Sequence, residues 1–374
     1  ETSEPHAFLD YAAYALFFPM LIQGPIAGHE EVISQFQEES RKKANYENLS
    51  RGMYAFARGL AKKVLIADTL SPIAAMVFPR PYAYDATNAL LAMLCYTFQI
   101  YFDFSGYCDM AYGIGLMFNI ELPINFHSPY KAVSVSDFWD RWHMSLTKFF
   151  TKYVYIPLGG SRKGIIRTCI NTMIVFLVSG FWHGANWTFV FWGFLHGIGV
   201  SVNNIFMKKE KKPEVTENDA VMKESGCEQT EKLKQRKVQS YKRFAQLVTF
   251  IYVCLAFVFF RSDSMADGLL FIKRLFSFEY NGSIFAVAEA VNISEIYIVT
   301  KVLSMKAPQL LAMVNLFMLL LIMVISVVVL CQKRTREIVE ACTWKTSFTL
   351  KMSILFVWAV LSLSGVSTFL YFNF

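Results

Sequence analysis

The stretch FLVSGFWHGANWTFVFWGFLHG, residues 176–197, is an almost unbroken run of apolar and aromatic side chains that carries two imidazoles, His183 directly after Trp182 and His196 just before its last glycine. Extended to Thr168 and Phe206 it becomes long enough for two apolar segments, since a hydrocarbon layer needs roughly 20 helical residues per crossing. Breakers at Gly180 and Gly184 mark where the segments meet. The sequence therefore predicts a hairpin over 168–206 with His183 near its bend.

The rest of the chain has the same character. Of 374 residues, 55 % are hydrophobic, 16 % aromatic and only 17 % charged, more apolar and less charged than a soluble domain requires. Leu310–Cys331, Phe348–Leu370, and Phe244–Phe260 with its flanks are further candidate crossings. Tyr11–Gly28 is apolar but ends in the breaker-rich QGPIAG, which shortens any span and suits a re-entrant segment buried in protein. Gly52–Leu70 carries Arg58, Lys62 and Lys63 at helical spacing, as expected of an interfacial or partly buried helix. Ala89–Ile120 has the length of two passes or a broken pair, with Asp103, Ser105, Gly106 and Asp109 in its middle. A carboxylate there is costly unless it faces protein or water. Pro123–Lys163 reads as aromatic and amphipathic. The fold class expected is all-α, a polytopic bundle of transmembrane helices with amphipathic and re-entrant helices. It divides into a core over 1–206, a charged segment over 207–243 and C-terminal spans over 244–374.

The net charge of +7 resides in short clusters beside apolar segments, at Arg41–Lys43, Arg162/Lys163/Arg167, Lys208–Lys212 and Lys333–Arg336. That placement marks cytoplasmic flanks of spans. The aromatics do not interleave with a basic groove, which argues against nucleic acid. Residues 207–243 hold eleven Lys/Arg against seven Asp/Glu, a net +4, and read as a solvated, disordered, cytoplasmic loop. With Arg162–Arg167 also cytoplasmic, the 168–206 bend points away from the cytosol. Seven cysteines lie scattered without a CxxC pair, most of them in apolar segments, and read as small hydrophobes. The chain opens ETSEPHAF, with neither an initiator Met nor a signal peptide, as expected of an N-terminally truncated protein.

Five of the seven tryptophans, 139, 142, 182, 187 and 192, fall within 139–192, and two of the six histidines directly follow one: Trp142-His143 and Trp182-His183. A neutral imidazole accepts a proton, and attack by a hydroxyl on an activated acyl carbonyl needs such an acceptor. On a continuing helix Asn186 and Trp187 share the face of His183 at i+3 and i+4, which makes Asn186 a candidate donor to the ring or to a developing oxyanion. The plainer reading of His183 is an interhelical histidine bonded across a bundle. His143 reads as a base or orienter, or more plainly as an interfacial histidine on the side of Asp140. His196, 13 residues beyond His183, is about 220° away on a straight helix and reads as packing. His127 sits in a loop, and His6 and His29 are peripheral. Neither HExxH nor a tight His/Cys cluster occurs, so no metal is expected. Asp103 and Asp109 read mainly as structural anchors, with Asp103 also a candidate for lining an acceptor route. PLGGSRKG lacks a Walker pattern, and its Arg162 and Lys163 read as topological anchors.

DFWDRWHMSLTKFFTKYVYIPLGGSRKG (137–164) followed by GFWHGANWTFVFWGFLHG (180–197) resembles the membrane-bound O-acyltransferase family, in the branch of alginate O-acetylation and D-alanyl transfer to teichoic acid. FFPMLIQGPIAG and YFDFSGYCDMAYGIGLMFNIELPINFHSPYKA extend the resemblance over most of residues 8–206. It implies His183 in FWHGA as the residue essential for acyl transfer, His143 in RWHMSL as the second histidine, and a central tunnel where a cytosolic donor meets an acceptor from the other face. Relatives carry further spans N-terminal to the counterpart of Tyr11.

The function expected is transfer of a short acyl group, most simply acetyl, from a cytosolic donor such as acetyl-CoA or an acyl-carrier protein. The acceptor is a hydroxyl of an extracytoplasmic polysaccharide, or a partner acyltransferase acting as relay. No tightly bound cofactor is expected. Catalysis falls to His183 and His143, and substrate contact to Asn186, Trp139, Trp142, Trp182 and Asp103. The rivals are D-alanyl transfer in teichoic acid modification and, from another class, a polysaccharide or lipid transporter or export scaffold, a reading weakened by the absence of an internal repeat. The location expected is the cell membrane, with the bilayer itself as a partner.

Overall fold

The computed structural model describes residues 7–21, 24–209, 228–280, 283–291, 296–342, 346–363 and 370. All its regular elements are helices, and it divides into two compact units: one of residues 1–127, 143–146 and 261–374, the other of 128–142 and 147–260. These units cut across the sequence boundaries at 206 and 243. His6 lies outside the described residues, as does 210–227 of the charged segment. From Glu228 the chain is helical, so residues 228–243 depart from the loop expected there.

In the first unit, α1 (Phe8–Ala15) and α2 (His29–Gln37) flank the breaker-rich segment and stay short. The core is the crossing of α3 (Tyr46–Ala61) with α5 (Ala86–Met117); α4 (Asp68–Val77) lies between them in sequence. Four glycines permit the crossing. Gly52 meets Gly113 and Gly59 meets Gly106, and a Cβ on Gly59 would stand 2.5 Å from the Gly106 carbonyl oxygen. Small residues let backbones approach in this way where lipid gives helices no hydrophobic drive to associate.

Ala89–Ile120, expected as two passes or a broken pair, is one helix, α5, of 32 residues and about 48 Å at 1.5 Å per residue. Asp85 Oδ1 caps it by accepting from the Asn88 N–H at 2.9 Å, and it ends where Asn119 takes φ 60° and Ile120 N–H donates to Gly115 O. Its two mid-helix carboxylates do not break it because each receives a lysine, as described below. Later in this unit come α11 (Met265–Leu275), α12 (Ile284–Ala288), α13 (Tyr297–Lys306), α14 (Pro308–Cys331), α15 (Thr335–Glu340) and α16 (Thr346–Leu361). α14 buries little beyond Asn315, Leu319 and Ser326. Its remaining apolar surface suits hydrocarbon.

The second unit holds α6 (Val135–Trp139), most of α7 (Met144–Phe150), α8 (Gly164–His183), α9 (Trp187–Lys209) and α10 (Glu228–Arg261). α8 and α9 form the hairpin expected over 168–206. They pack backbone to backbone: a Cβ on Gly193 would sit 2.2 Å from Phe176 O, and one on Gly180 2.4 Å from Phe189 O. Before α8, Gly159 (φ 101°) and Gly160 (φ 55°) form a turn in the left-handed region. Asn171 Nδ2 ties that turn down by donating to Leu158 O at 3.2 Å and Gly160 O at 2.9 Å. Among the described residues four helical segments are long and apolar enough to cross a bilayer: 164–183, 187–206, 237–261 and 308–331. The chain is a multi-pass membrane protein.

Candidate active site

His183 is the last residue of α8 and is buried. Three rings meet its imidazole edge to face: Trp182 at 4.9 Å, Trp192 at 5.2 Å and Phe260 at 5.2 Å. The helix does not continue as the i+3 argument assumed. Gly184 breaks it, pressed so close to Phe189 that a Cβ would lie 2.6 Å from the ring. Asn186 lies beyond the break, and its Oδ1 accepts from Thr188 N–H at 3.2 Å to begin α9.

The other tryptophans divide by exposure. Trp182 is 54 % exposed and Trp187 77 %, at the bend, a placement that suits the headgroup layer. Trp139 and Trp142 are buried. Trp142 stacks on Phe138 at 5.4 Å and meets Phe257 at 5.5 Å. Trp139 donates its indole N–H to Nδ1 of His196 at 3.1 Å. His196, expected to pack without converging on His183, shares Trp192 with it: the Trp192 centroid lies 5.0 Å from His196 and 5.2 Å from His183. Helix pitch alone did not reveal this, because the break at Gly184 resets the rotation between the two histidines.

His143 belongs to the first unit. It is buried, adopts φ 45°, and stands edge-on to Phe104 at 4.7 Å. A left-handed backbone at a non-glycine residue persists only where its surroundings impose it. Asn125 imposes it here: its backbone O accepts from Met144 N–H at 3.0 Å and its Oδ1 from Ser145 N–H at 3.1 Å. Ser145 Oγ in turn accepts from Ile26 N–H at 3.0 Å. Sequence reasoning passed over Asn125, whose signal was an amide inside the apolar run LPINF. In the second unit Asp140 is held above the usual carboxylate range by desolvation and then by the charge of Asp137. His127 is exposed, and His29 lies against Tyr14.

Asp103 and Asp109 receive consecutive lysines. A π-helical turn over Lys62–Ala67 joins α3 to α4, and its wider winding brings both ammonium groups onto α5. Lys63 Nζ lies 2.6 Å from Asp103 and 2.7 Å from Asp68, while Lys62 Nζ lies 2.6 Å from Asp109. Asp103 Oδ2 also accepts from Leu370 N–H at 3.0 Å. Asp103 is thus anchored by Lys63 and the Leu370 N–H, and Lys63, on a helix expected to be interfacial or partly buried, is 5 % exposed. Beside Asp109 is a cavity of about 60 Å³ lined by Lys62, Ser105, Asn125, Arg334 and Thr335 among others. Its cations are paired, Arg334 with Glu337 and Arg336 with Glu121 and Glu340.

The chain is similar to known proteins over more than half its length. The profile of the membrane-bound O-acyltransferase family matches residues 1–223. The chain is 44 % identical over 268 residues to a peptidoglycan O-acetyltransferase of Helicobacter pylori, covering 72 % of this chain and 46 % of that protein. It is 41 % identical over 204 residues to the "probable alginate O-acetylase AlgI" of Azotobacter vinelandii, covering 54 % and 40 %. With a teichoic acid D-alanyltransferase of Bacillus subtilis it shares 29 % over 206 residues, covering 53 % and 52 %. The chain spans about half the length of the curated relatives it matches. On the profile match and the helical membrane architecture together, this chain belongs to the membrane-bound O-acyltransferase family.

Proposed function

We propose that the protein transfers a short acyl group, most simply acetyl, from a cytosolic donor to a hydroxyl of an extracytoplasmic polysaccharide or of a partner acyltransferase. The observation that carries the reading is His183: an imidazole buried among rings at the α8–α9 joint, within the segment matched by relatives named as O-acetyltransferases. Identity favours acetyl over D-alanyl, at 44 % and 41 % against 29 %.

In this reading the acceptor oxygen attacks the acyl carbonyl carbon as His183 removes the hydroxyl proton. Collapse of the tetrahedral intermediate breaks the bond to the donor sulfur, and the thiolate leaves and takes up the proton. His143 assists by orienting or polarising a reactant. Trp182 lies beside the reacting ring, and Asn186, Trp139, Trp142 and Asp103 stand as further proposed substrate contacts. The donor is acetyl-CoA or an acyl-loaded carrier protein, bound as substrate.

The test is acyl content of the envelope polymer, with a trial of both donors in vesicles. His183→Ala at equal protein level lowers transfer by at least about 100-fold, in the range for a lost general base. Undiminished acylation in that variant defeats the proposal, and polymer stranded inside the cell favours export.

A further inference from the structure

We infer that His196 and Trp192 donate hydrogen bonds to the carbonyl oxygen of the acyl group during its transfer, an inference that rests on the acyltransferase reading above. The imidazole of His196 is fully buried, with Phe138 and Phe176 lying nearly parallel to it on centroid distances of 6.0 and 6.3 Å. Its Nδ1 receives the indole N–H of Trp139. An indole nitrogen only donates, so Nδ1 must be the acceptor and the ring proton sits on Nε2. Protonating Nδ1 as well would set two N–H groups head-on. His196 is therefore fixed as a neutral donor and is unsuited to act as a base.

Among the described residues that donor has no hydrogen-bond partner, and neither has the indole N–H of Trp192, which is 2 % exposed and one helical turn earlier on the same face. Buried N–H groups are nearly always paired, because losing water without gaining a partner is costly. Both missing partners must be acceptors. Phe138 and Phe176 offer no acceptor, and Tyr252, whose ring lies 6.3 Å from His196, donates its hydroxyl to Leu195 O at 2.5 Å and forms no hydrogen bond with Nε2. Trp192 also touches His183, which places this donor pair in the same cluster of rings as the proposed base.

An acyl carbonyl brings the acceptor that is missing. As the hydroxyl oxygen bonds to the carbonyl carbon, the π electron pair moves onto the carbonyl oxygen and the hydroxyl proton passes to His183. When the intermediate collapses, that pair reforms the double bond and the donor thiolate departs. Preformed donors in a dry site favour the charged oxygen over the neutral one.

The experiment measures kcat and KM in vesicles, with acetyl-CoA and an acetyl-loaded carrier protein as donors, for the full chain and five variants: His183→Ala, His196→Phe, His196→Gln, Trp192→Phe and Trp139→Phe. We expect His196→Phe to lower kcat about 100-fold with KM within about twofold, the range for loss of one such donor. His196→Gln, which keeps an N–H donor and an acceptor for Trp139, recovers at least about tenfold of that loss. Trp192→Phe keeps the ring and lowers kcat about tenfold, and decides the matter if His196→Phe does not fold. Trp139→Phe frees the tautomer and lowers kcat with little change in KM. If a water or an aromatic face occupies these donors, kcat per folded molecule stays at the wild-type value in His196→Phe and Trp192→Phe, and the inference falls alone. Equal impairment of His196→Phe and His196→Gln also overturns it, leaving packing. Transfer that is absent from wild type with both donors, or untouched by His183→Ala, overturns the acyltransferase reading itself.

Discussion

Asn125 fixes the position of His143 through two backbone hydrogen bonds, made by its own carbonyl and its side chain. Asn125→Ala keeps the backbone bond but loses the donation to Cys108 Sγ and leaves the buried Ser145 N–H without an acceptor, the latter a cost of about 1–3 kcal/mol. We expect a lower unfolding temperature in detergent and at least tenfold slower transfer, because the left-handed turn at His143 loses its clamp. Normal transfer together with lowered stability would separate the clamp from the chemistry. Lys63 is a second such residue. Lys63→Met removes the shared cation of Asp103 and Asp68 and, by the usual cost of breaking a buried pair, destabilises by about 3–5 kcal/mol. The double variant Lys63→Met/Asp103→Leu recovers part of that loss in the same thermal melt. If the two substitutions simply add, Lys63 and Asp103 are not coupled.

The α3–α5 crossing is the element-scale feature most exposed to change. A Cβ at Gly59 or Gly106 falls within 3 Å of the facing carbonyl oxygen, so Gly59→Ala forces the two helices apart, with an overpacking cost of about 1–3 kcal/mol. The lysine–aspartate pairs just beyond the crossing should loosen with it, which hydrogen exchange along α5 would detect. A smaller element responds to pH. Glu337 caps α15 through Arg334 N–H, and the hydrogen bond from the Arg334 guanidinium holds its carboxyl below the usual range. A lowered folded value means the cap stabilises above the ordinary carboxylate pKa of about 4.3 and is lost as pH falls through the lowered value. Amide protection in α15 should therefore drop at the acid end of that window, and Arg334→Ala should move the drop to higher pH.

At the scale of the molecule, membrane class, the hairpin and the two Trp-His doublets were legible directly, since hydropathy, glycine breaks and side-chain chemistry are local properties of the chain. The positive-inside pattern adds a prediction: in intact cells Lys163→Cys resists an impermeant thiol reagent while Asn186→Cys, at the other end of α8, reacts. The reverse pattern would invert the hairpin. Continuity of α5 was not legible, because its carboxylates look like a break until Lys62 and Lys63 neutralise them. The role of His196 was hidden for the same reason: its tautomer is set by Trp139, 57 residues away in sequence. The sequence by itself determined which segments enter the bilayer and which side chains there can hold a proton. Tertiary structure alone decided which buried polar groups are matched, because a hydrogen bond or ion pair across helices depends on chain closure and the rotation of each helix, and neither is encoded within one turn of chain.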